Sequence, residues 1–370
     1  MRSNNVLGFI FAATLDDKIP ELASSRTTAS IPIGGKYRII DFDLSNMSNS
    51  GISNVGIVAK SNFQSLMDHV GSGSAYDLSK RRSNLSILPP YDGKAFSSFV
   101  ETIYNMHGYI EHCREEYVLI SQGNVITNID YTDVFDFHSK KKADITLIYK
   151  KHAIPQGYDR PITLDVDNDG KVNQIFVKPG VVDKGVFNHA YGSILIRKDL
   201  LMSEIRNAIS VNQLDVRRLI QSSLGKYSIY AYENKGYCAA ISSINDYFEF
   251  NMDLMKKEVR DELFNPQRPI YTKVRDDAPS RYGLTSNVKN SIIAQGCVIN
   301  GDVENCVISK GVYVGEGAKL SNCIVMQDTK IGCNTNLNYV IIDKDVTIKD
   351  GRSLMGYDSY PIYIAKKSVV

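Results

Sequence analysis

The side chains able to do chemistry are few and scattered. Asp16 and Asp17 stand side by side after an apolar run, and Asp130 precedes a helical stretch, so each carboxylate is a candidate for holding a divalent cation. Asp130 also occupies the position of a helix N-cap, a role that competes with metal binding. Lys36 and Arg38 lie two residues apart beside Asp41 and Asp43, so Arg38 reads either as an ion-pair partner of those acids or as a receiver of an anion. Lys178, before Pro179, reads by itself as a solvated loop charge. Cysteines at 113, 238, 297, 306, 323 and 333 form no CxxC pair and have no histidine nearby, which argues against a zinc or redox site. All six histidines (69, 107, 112, 138, 152, 189) precede residue 190.

These residues must be placed by a chain of 370 residues, 43% hydrophobic and 23% charged, a balance that supports two packed domains and argues against disorder. The net charge of +2 is spread out, and Lys80-Arg81-Arg82 and Lys140-Lys141-Lys142 read as solvated ends, so a nucleic-acid stripe is not expected. Apolar runs stay well short of the ~20 residues of a membrane span, and the six-residue run after Asn5 is too short for a signal peptide. A cytoplasmic protein with reduced cysteines is the expectation.

Apolar runs at Val6–Phe11, Val55–Ala59, Tyr117–Ser121, Asp144–Tyr149 and Ser193–Ile196 alternate with helical patterns at Asp41–Asn49, Phe99–Cys113 and Thr132–Lys140. That alternation predicts an α/β domain with a mostly parallel sheet, whose ligands bind beyond the carboxyl ends of the strands. The loops after Phe11 and Ser121 are therefore the places for chemistry. From Asn290 the pattern changes: Asn290-Ser-Ile-Ile, Asn305-Cys-Val-Ile, Asn322-Cys-Ile-Val and Asn338-Tyr-Val-Ile recur at spacings of 15, 17 and 16. Near-constant repetition of one tetrapeptide, each followed by a turn, predicts a left-handed parallel β-helix built from three short strands per coil. An amphipathic helix over Ile244–Val259 and prolines at 266, 269 and 279 give domains at 1–260 and 290–370, with a linker at 261–289.

A sheet domain joined to a hexapeptide solenoid fits two kinds of enzyme. Hexapeptide acyltransferases use a histidine on the solenoid, and this solenoid carries none. The segment Ile33-Gly-Gly-Lys36-Tyr-Arg38-Ile-Ile-Asp41-Phe42, followed by Leu44-Ser-Asn46 and Asn49-Ser-Gly-Ile52, resembles the opening of bacterial glucose-1-phosphate adenylyltransferases (ADP-glucose pyrophosphorylases). Val118-Leu-Ile-Ser-Gln-Gly123, Asp130-Tyr131, Phe176-Val-Lys178-Pro179 and Tyr247-Phe-Glu-Phe-Asn251-Met-Asp253-Leu254 extend the resemblance over nearly the whole chain. It implies a Rossmann-like, GT-A-like nucleotidyltransferase domain within a tetramer that feeds glycogen synthesis.

Such an enzyme joins two anions, so it depends on backbone N–H groups, Arg and Lys side chains, and carboxylate-held Mg²⁺. Counted without gaps from Gly34-Gly35-Lys36, the family's glycine-rich loop falls on Ala12–Ile19, which contains no glycine and has Leu15 at the place of its first arginine. The family's Arg-x-Lys-Pro becomes Arg26-Thr-Thr28-Ala, which puts Thr28 at the place of a phosphate-facing lysine. One metal aspartate becomes Asn124, and the other aligns with Ala240. The resemblance therefore implies no intact catalytic set and no metal site in this chain, any Mg²⁺ belonging to a catalytic partner. By the same resemblance Lys178 keeps the sugar-phosphate position, although the glutamate before it is Val177, and Lys36 and Arg38 keep positions associated with phosphorylated or anionic effectors.

Three readings follow. The first is a non-catalytic regulatory subunit, similar to the GlgD type within the family, in a heterotetramer with a catalytic subunit and responsive to a sugar-phosphate or nucleotide effector. The second is an active sugar-phosphate nucleotidyltransferase that has rebuilt its site with Asp16, Asp17 or Asp130. The third is a homo-oligomeric sugar-phosphate sensor.

Overall fold

The computed structural model describes residues 5–13, 16–60, 62–79, 84–89, 98–153, 161–177, 185–274 and 276–370. Leu15 and Lys178 lie outside the described residues. The first domain is organised by a nine-stranded sheet: β1 (Val6–Phe11), β2 (Asn54–Val58), β3 (Asn84–Leu88), β4 (Tyr117–Gln122), β5 (Ile145–Ala153), β6 (Ile162–Val166), β7 (Val172–Val177), β8 (Val186–Arg197) and β9 (Ile229–Glu233). The order β9-β5-β8-β4-β1-β2-β3 runs across it, and the β6–β7 hairpin joins the first half of β8. β1 pairs in parallel with both β4 and β2, so chain order reverses at β1 and opens a crevice beyond the carboxyl ends of β1 and β4. β8 runs antiparallel between β4 and β5.

β1 is buried along its whole length, as its unbroken apolar run requires. The helix α1 (Ile39–Asn49) lies close over it: a Cβ on Gly8 would stand 2.5 Å from the Met47 sulfur. The helix expected over Phe99–Cys113 is two short helices, Phe99–Asn105 and His107–His112, because Met106 leaves helical geometry at ψ 6°. The helix expected over Ile244–Val259 divides in the same way, into α2 (Ile244–Asp253), capped by the Ser243 side chain, and Lys257–Leu263. Asp130 caps the helix Tyr131–Lys141, accepting from Thr132 N at 2.9 Å.

The second domain is a left-handed β-helix of three parallel five-stranded sheets. Its strand pairing begins at Arg281–Tyr282 and Asn287–Lys289, inside the stretch read from the sequence as linker. Cys297, Ile299, Val303, Cys306, Ile308, Val312 and Val314 fill its interior with their counterparts on later coils. Three of the four repeated asparagines turn a corner: Asn290, Asn305 and Asn322 adopt positive φ (39°, 52° and 52°), a conformation Asn tolerates better than most residues. On the next coil the positive-φ residue is Tyr339 and not Asn338, since Ile324 pairs with Ile341. The structural spacing there is therefore one residue longer than the tetrapeptide match.

The two domains share a core. Ile33, Phe42, Tyr247 and Phe248 of the first pack with Val307, Ile324, Met326 and Ile341 of the second. Through the middle of this contact runs a buried ion pair, Arg26 Nη2 to Asp343 Oδ1 at 2.7 Å and Oδ2 at 2.9 Å. Tyr363 Oη donates to the same carboxylate at 2.8 Å.

Candidate functional site

The crevice beyond β1 and β4 is tightly closed at its base. Gly123 N donates to Phe11 O at 2.8 Å and Ala29 N to Ala12 O at 3.0 Å, tying together the end of β4, the loop after β1 and the turn at Thr28–Ser30. Gly123 is needed for that approach, because a Cβ there would meet Phe11 O at 2.8 Å and the Ala29 Cβ at 3.0 Å.

Thr28 faces this loop, and its partner is an acid of the chain itself. Asp16 Oδ1 accepts from Thr28 N at 2.7 Å and from Thr28 Oγ1 at 2.6 Å. Burial pushes the Asp16 carboxyl above the usual carboxylate range, against the lowering effect of these two hydrogen bonds. Asp17 pairs with Lys60 at 3.2 Å. The loop therefore presents carboxylates bound to internal donors, where a triphosphate would need open donors and cations.

On the other side of the crevice the strands Val125–Thr127 and Cys238–Ala240 pair antiparallel, with Val125 opposite Ala240. This brings the neighbourhoods of Asn124 and Ala240 together. Asn124 is buried and donates its amide N–H to Ile241 O at 3.2 Å, while Ile241 N donates to Asn124 O at 2.9 Å. The remaining Asn124 oxygen is neutral and has no partner among the described residues, and the Ala240 side chain offers no ligand atom. That set does not fit Mg²⁺, which asks for carboxylate oxygens. Among the described residues no group of three or more His, Cys, Asp or Glu is placed to hold a metal ion. The nearby Asp246 is engaged by Ser242, accepting from its N–H at 2.9 Å and from its hydroxyl at 2.5 Å.

A second site lies between the domains, and it is built differently. Lys36, Arg38, Lys273, Lys310 and Lys344 converge on one pocket together with His69. The glycines before Lys36 make this possible. Gly35, at φ 81°, sits so near the solenoid that a Cβ would approach Ile308 O to 3.3 Å, and Gly34 N donates to Asn251 Oδ1 of α2 at 3.0 Å. Lys36 Nζ lies 4.8 Å from the Tyr37 ring centroid.

Arg38 meets Asp41 through its backbone, Arg38 N donating to Asp41 Oδ2 at 2.9 Å, while its guanidinium donates to Ser65 O at 2.6 Å and Ser65 Oγ at 2.8 Å. The other Asp41 oxygen holds His69 Nε2 and Tyr76 Oη, each at 2.6 Å. Asp43 is engaged elsewhere, accepting from Ser121 Oγ at 2.5 Å.

The solenoid supplies the other wall. Lys344 follows Asp343, whose Oδ1 accepts from Lys344 N at 2.7 Å. Burial, and then the neighbouring Arg38 and Arg26, push the Lys344 ammonium down to about 7 from its ordinary 10.5. Lys310 is buried with Asp277 at 3.5 Å. Cations gathered this closely set up a positive potential that attracts an anion.

The structure thus puts Lys36 and Arg38 in one pocket, sets Asn124 beside Ala240, and joins Thr28 to Asp16. The sequence reading missed Arg26 as a structural ion-pair residue and missed Lys273, Lys310, Lys344 and Asp343. Arg26 stood in the quoted Arg26-Thr-Thr28-Ala segment, whereas the solenoid residues carry no motif that would mark them.

The model of the nucleotidyl transferase family matches residues 17–256, and that of the GlmU-like C-terminal hexapeptide region matches residues 273–360. Over 370 residues the chain is 33% identical to the glycogen biosynthesis protein GlgD of Bacillus subtilis, covering 99% of this chain and 97% of that one. It is 37% identical over 326 residues to the protein of the same name from Geobacillus stearothermophilus, covering 85% and 83%. It is 31% identical over 325 residues to the glucose-1-phosphate adenylyltransferase of Clostridium acetobutylicum, covering 85% and 84%.

Proposed function

The chain belongs to the glucose-1-phosphate adenylyltransferase family of nucleotidyl transferases, with GlgD among its relatives, and from that premise we propose that it acts in glycogen biosynthesis as a non-catalytic regulatory subunit. The catalytic subunit it regulates converts ATP and glucose-1-phosphate to ADP-glucose and pyrophosphate, and the two form a heterotetramer.

One observation carries the reading: the scaffold is complete while the crevice has neutral or self-bound groups at Thr28, Asn124 and Ala240. Phosphoryl and nucleotidyl transfer rest on positioning and charge neutralisation, so losing cations and metal carboxylates together removes the main source of rate. Removal of a single key donor typically costs about 3–4 kcal/mol of transition-state stabilisation, and such losses need not add.

The interdomain pocket gives the subunit something to sense. Its lysines and Arg38 suit a phosphorylated effector, and its walls come from both domains, so occupancy would bias how they pack. Lys178 retains the sugar-phosphate position in this reading.

The test is to co-express the chain with a catalytic subunit of the family, measure association by sedimentation, and compare kinetics with the catalytic subunit alone. The expected result is a mixed tetramer with an altered turnover or effector response. Absence of association, or unchanged kinetics in a mixed tetramer, would defeat the proposal.

A further inference from the structure

We infer that Asp16 is an autoinhibitory latch, a carboxylate of the chain that occupies the anion-binding groups at the end of β1 and keeps a triphosphate out. The inference deepens the non-catalytic reading, because it assigns exclusion to a definite contact between residues 12 apart in sequence.

The geometry is that of an anion in its cradle. One oxygen, Asp16 Oδ1, receives both a backbone N–H and a hydroxyl from Thr28, at 2.7 and 2.6 Å. Hydrogen bonds from neutral donors to a charged acceptor are the kind that hold phosphate oxygens at glycine-rich loops. Lys60 lies close enough to act on the Asp16 charge and reaches Asp17 directly at 3.2 Å. The location is the one where a doubly wound sheet receives ligands, beside the switch between β1 and β4.

The second Asp16 oxygen is buried with no partner among the described residues. A half-satisfied buried carboxylate costs stability, since its desolvation is only partly offset. Its position is better explained by what it blocks than by what it stabilises. An incoming triphosphate would need the Thr28 donors that Asp16 holds and would face its negative charge at close range.

The latch makes a sharper prediction than the loss of glycines does. If the missing glycines alone excluded the ligand, removing one acid would change nothing. If Asp16 is the occupant, removing it frees the Thr28 N–H and the Thr28 hydroxyl and removes a negative charge from beside Lys60, which stays paired with Asp17.

The experiment is calorimetric titration of the full chain, without any partner, with inorganic triphosphate. The interdomain pocket can also take this probe, so the readout is the number of sites relative to wild type. Asp16→Ala is expected to add one site, at least tenfold tighter than any binding there in wild type, and Asp16→Ala combined with Lys60→Ala to lose it. Asp16→Asn, which removes the charge but keeps an acceptor for Thr28, should gain a weaker site. Thermal melts establish that each variant is folded, and should Asp16→Ala not fold, Asp16→Asn decides by itself. Folded variants with the same number of sites as wild type would overturn the latch. Because no catalytic subunit is present, that outcome would leave the regulatory reading standing.

Discussion

The crevice beyond β1 and β4 and the pocket between the domains are both lined by polar side chains, yet their charges have gone opposite ways. In the crevice Thr28 is held by an internal acid, Asp16, and the neutral Asn124 bonds back to the chain beside Ala240. In the pocket five basic residues gather with Asp68, and Lys310 pairs with Asp277. A protein kept only for its shape would have no need to hold Lys344 beside Arg38 and Arg26, where each cation raises the free energy of the others. Under the proposed non-catalytic reading, electrostatic work has left the transfer chemistry and persists at the domain interface.

The comparison breaks most severely if the interface itself fails. Arg26→Ala leaves Asp343 buried with Tyr363 and the Lys344 N–H but without its directly bonded guanidinium, and should cost about 3–5 kcal/mol. Chemical denaturation of the full chain measures it, and a loss below about 1 kcal/mol would show that the pair does not hold the domains together.

A smaller effect is expected at the pocket. Arg38→Ala and Lys344→Ala should each weaken binding of inorganic sulfate by about tenfold, the equivalent of ~1.4 kcal/mol. Equal affinity in wild type and both variants would remove the pocket from the account.

Proton linkage sharpens the same point. Lys344 titrates near 7 in the free protein and is raised when an anion neutralises its surroundings, so binding takes up a proton. Sulfate affinity should therefore fall as pH rises above about 7, by up to tenfold per unit, and calorimetry in buffers of different ionisation enthalpy should register the uptake. The other charges facing Lys344 are Arg38, Arg26, Asp343 and Lys366. Lys344→Met should flatten the profile, and a profile unchanged by that substitution would assign the linkage elsewhere. For the empty pocket, the depressed lysine pKa means the unfolded chain binds more protons between pH 7 and 10.5, so the cost of burying this ammonium is relieved as pH rises through that window.

The smallest change is expected from partial repair of the crevice. Asn124→Asp with Ala240→Asp restores two carboxylates but leaves Thr28 bound to Asp16, so pyrophosphate release should stay within about tenfold of background. A larger gain would show that metal ligation was the only missing part.

How much of this could be read from the sequence depends on the distance over which each feature is encoded. The coils were legible because Asn290, Asn305 and Asn322 repeat one local event, a positive-φ corner followed by inward aliphatic residues. The fourth corner was misregistered by one residue, since Asn338 continues the match while Tyr339 makes the turn. The replacements read at Thr28, Asn124 and Ala240 rest on the register that the flanking motifs set, and the structure adds that Asn124 and Ala240 are neighbours. The Asp16–Thr28 latch, the Arg26–Asp343 pair and the lysines from 273 to 344 were not, because each depends on which segments the fold brings together. Arg26 and Asp343 are 317 residues apart.

The central claim is that the transfer chemistry has been lost from this chain, and its most direct test is pyrophosphate release by the purified chain alone with ATP, glucose-1-phosphate and Mg²⁺. The expected signal is indistinguishable from the enzyme-free control. Turnover on the order of 1–10 per second, ordinary for an enzyme, would contradict it.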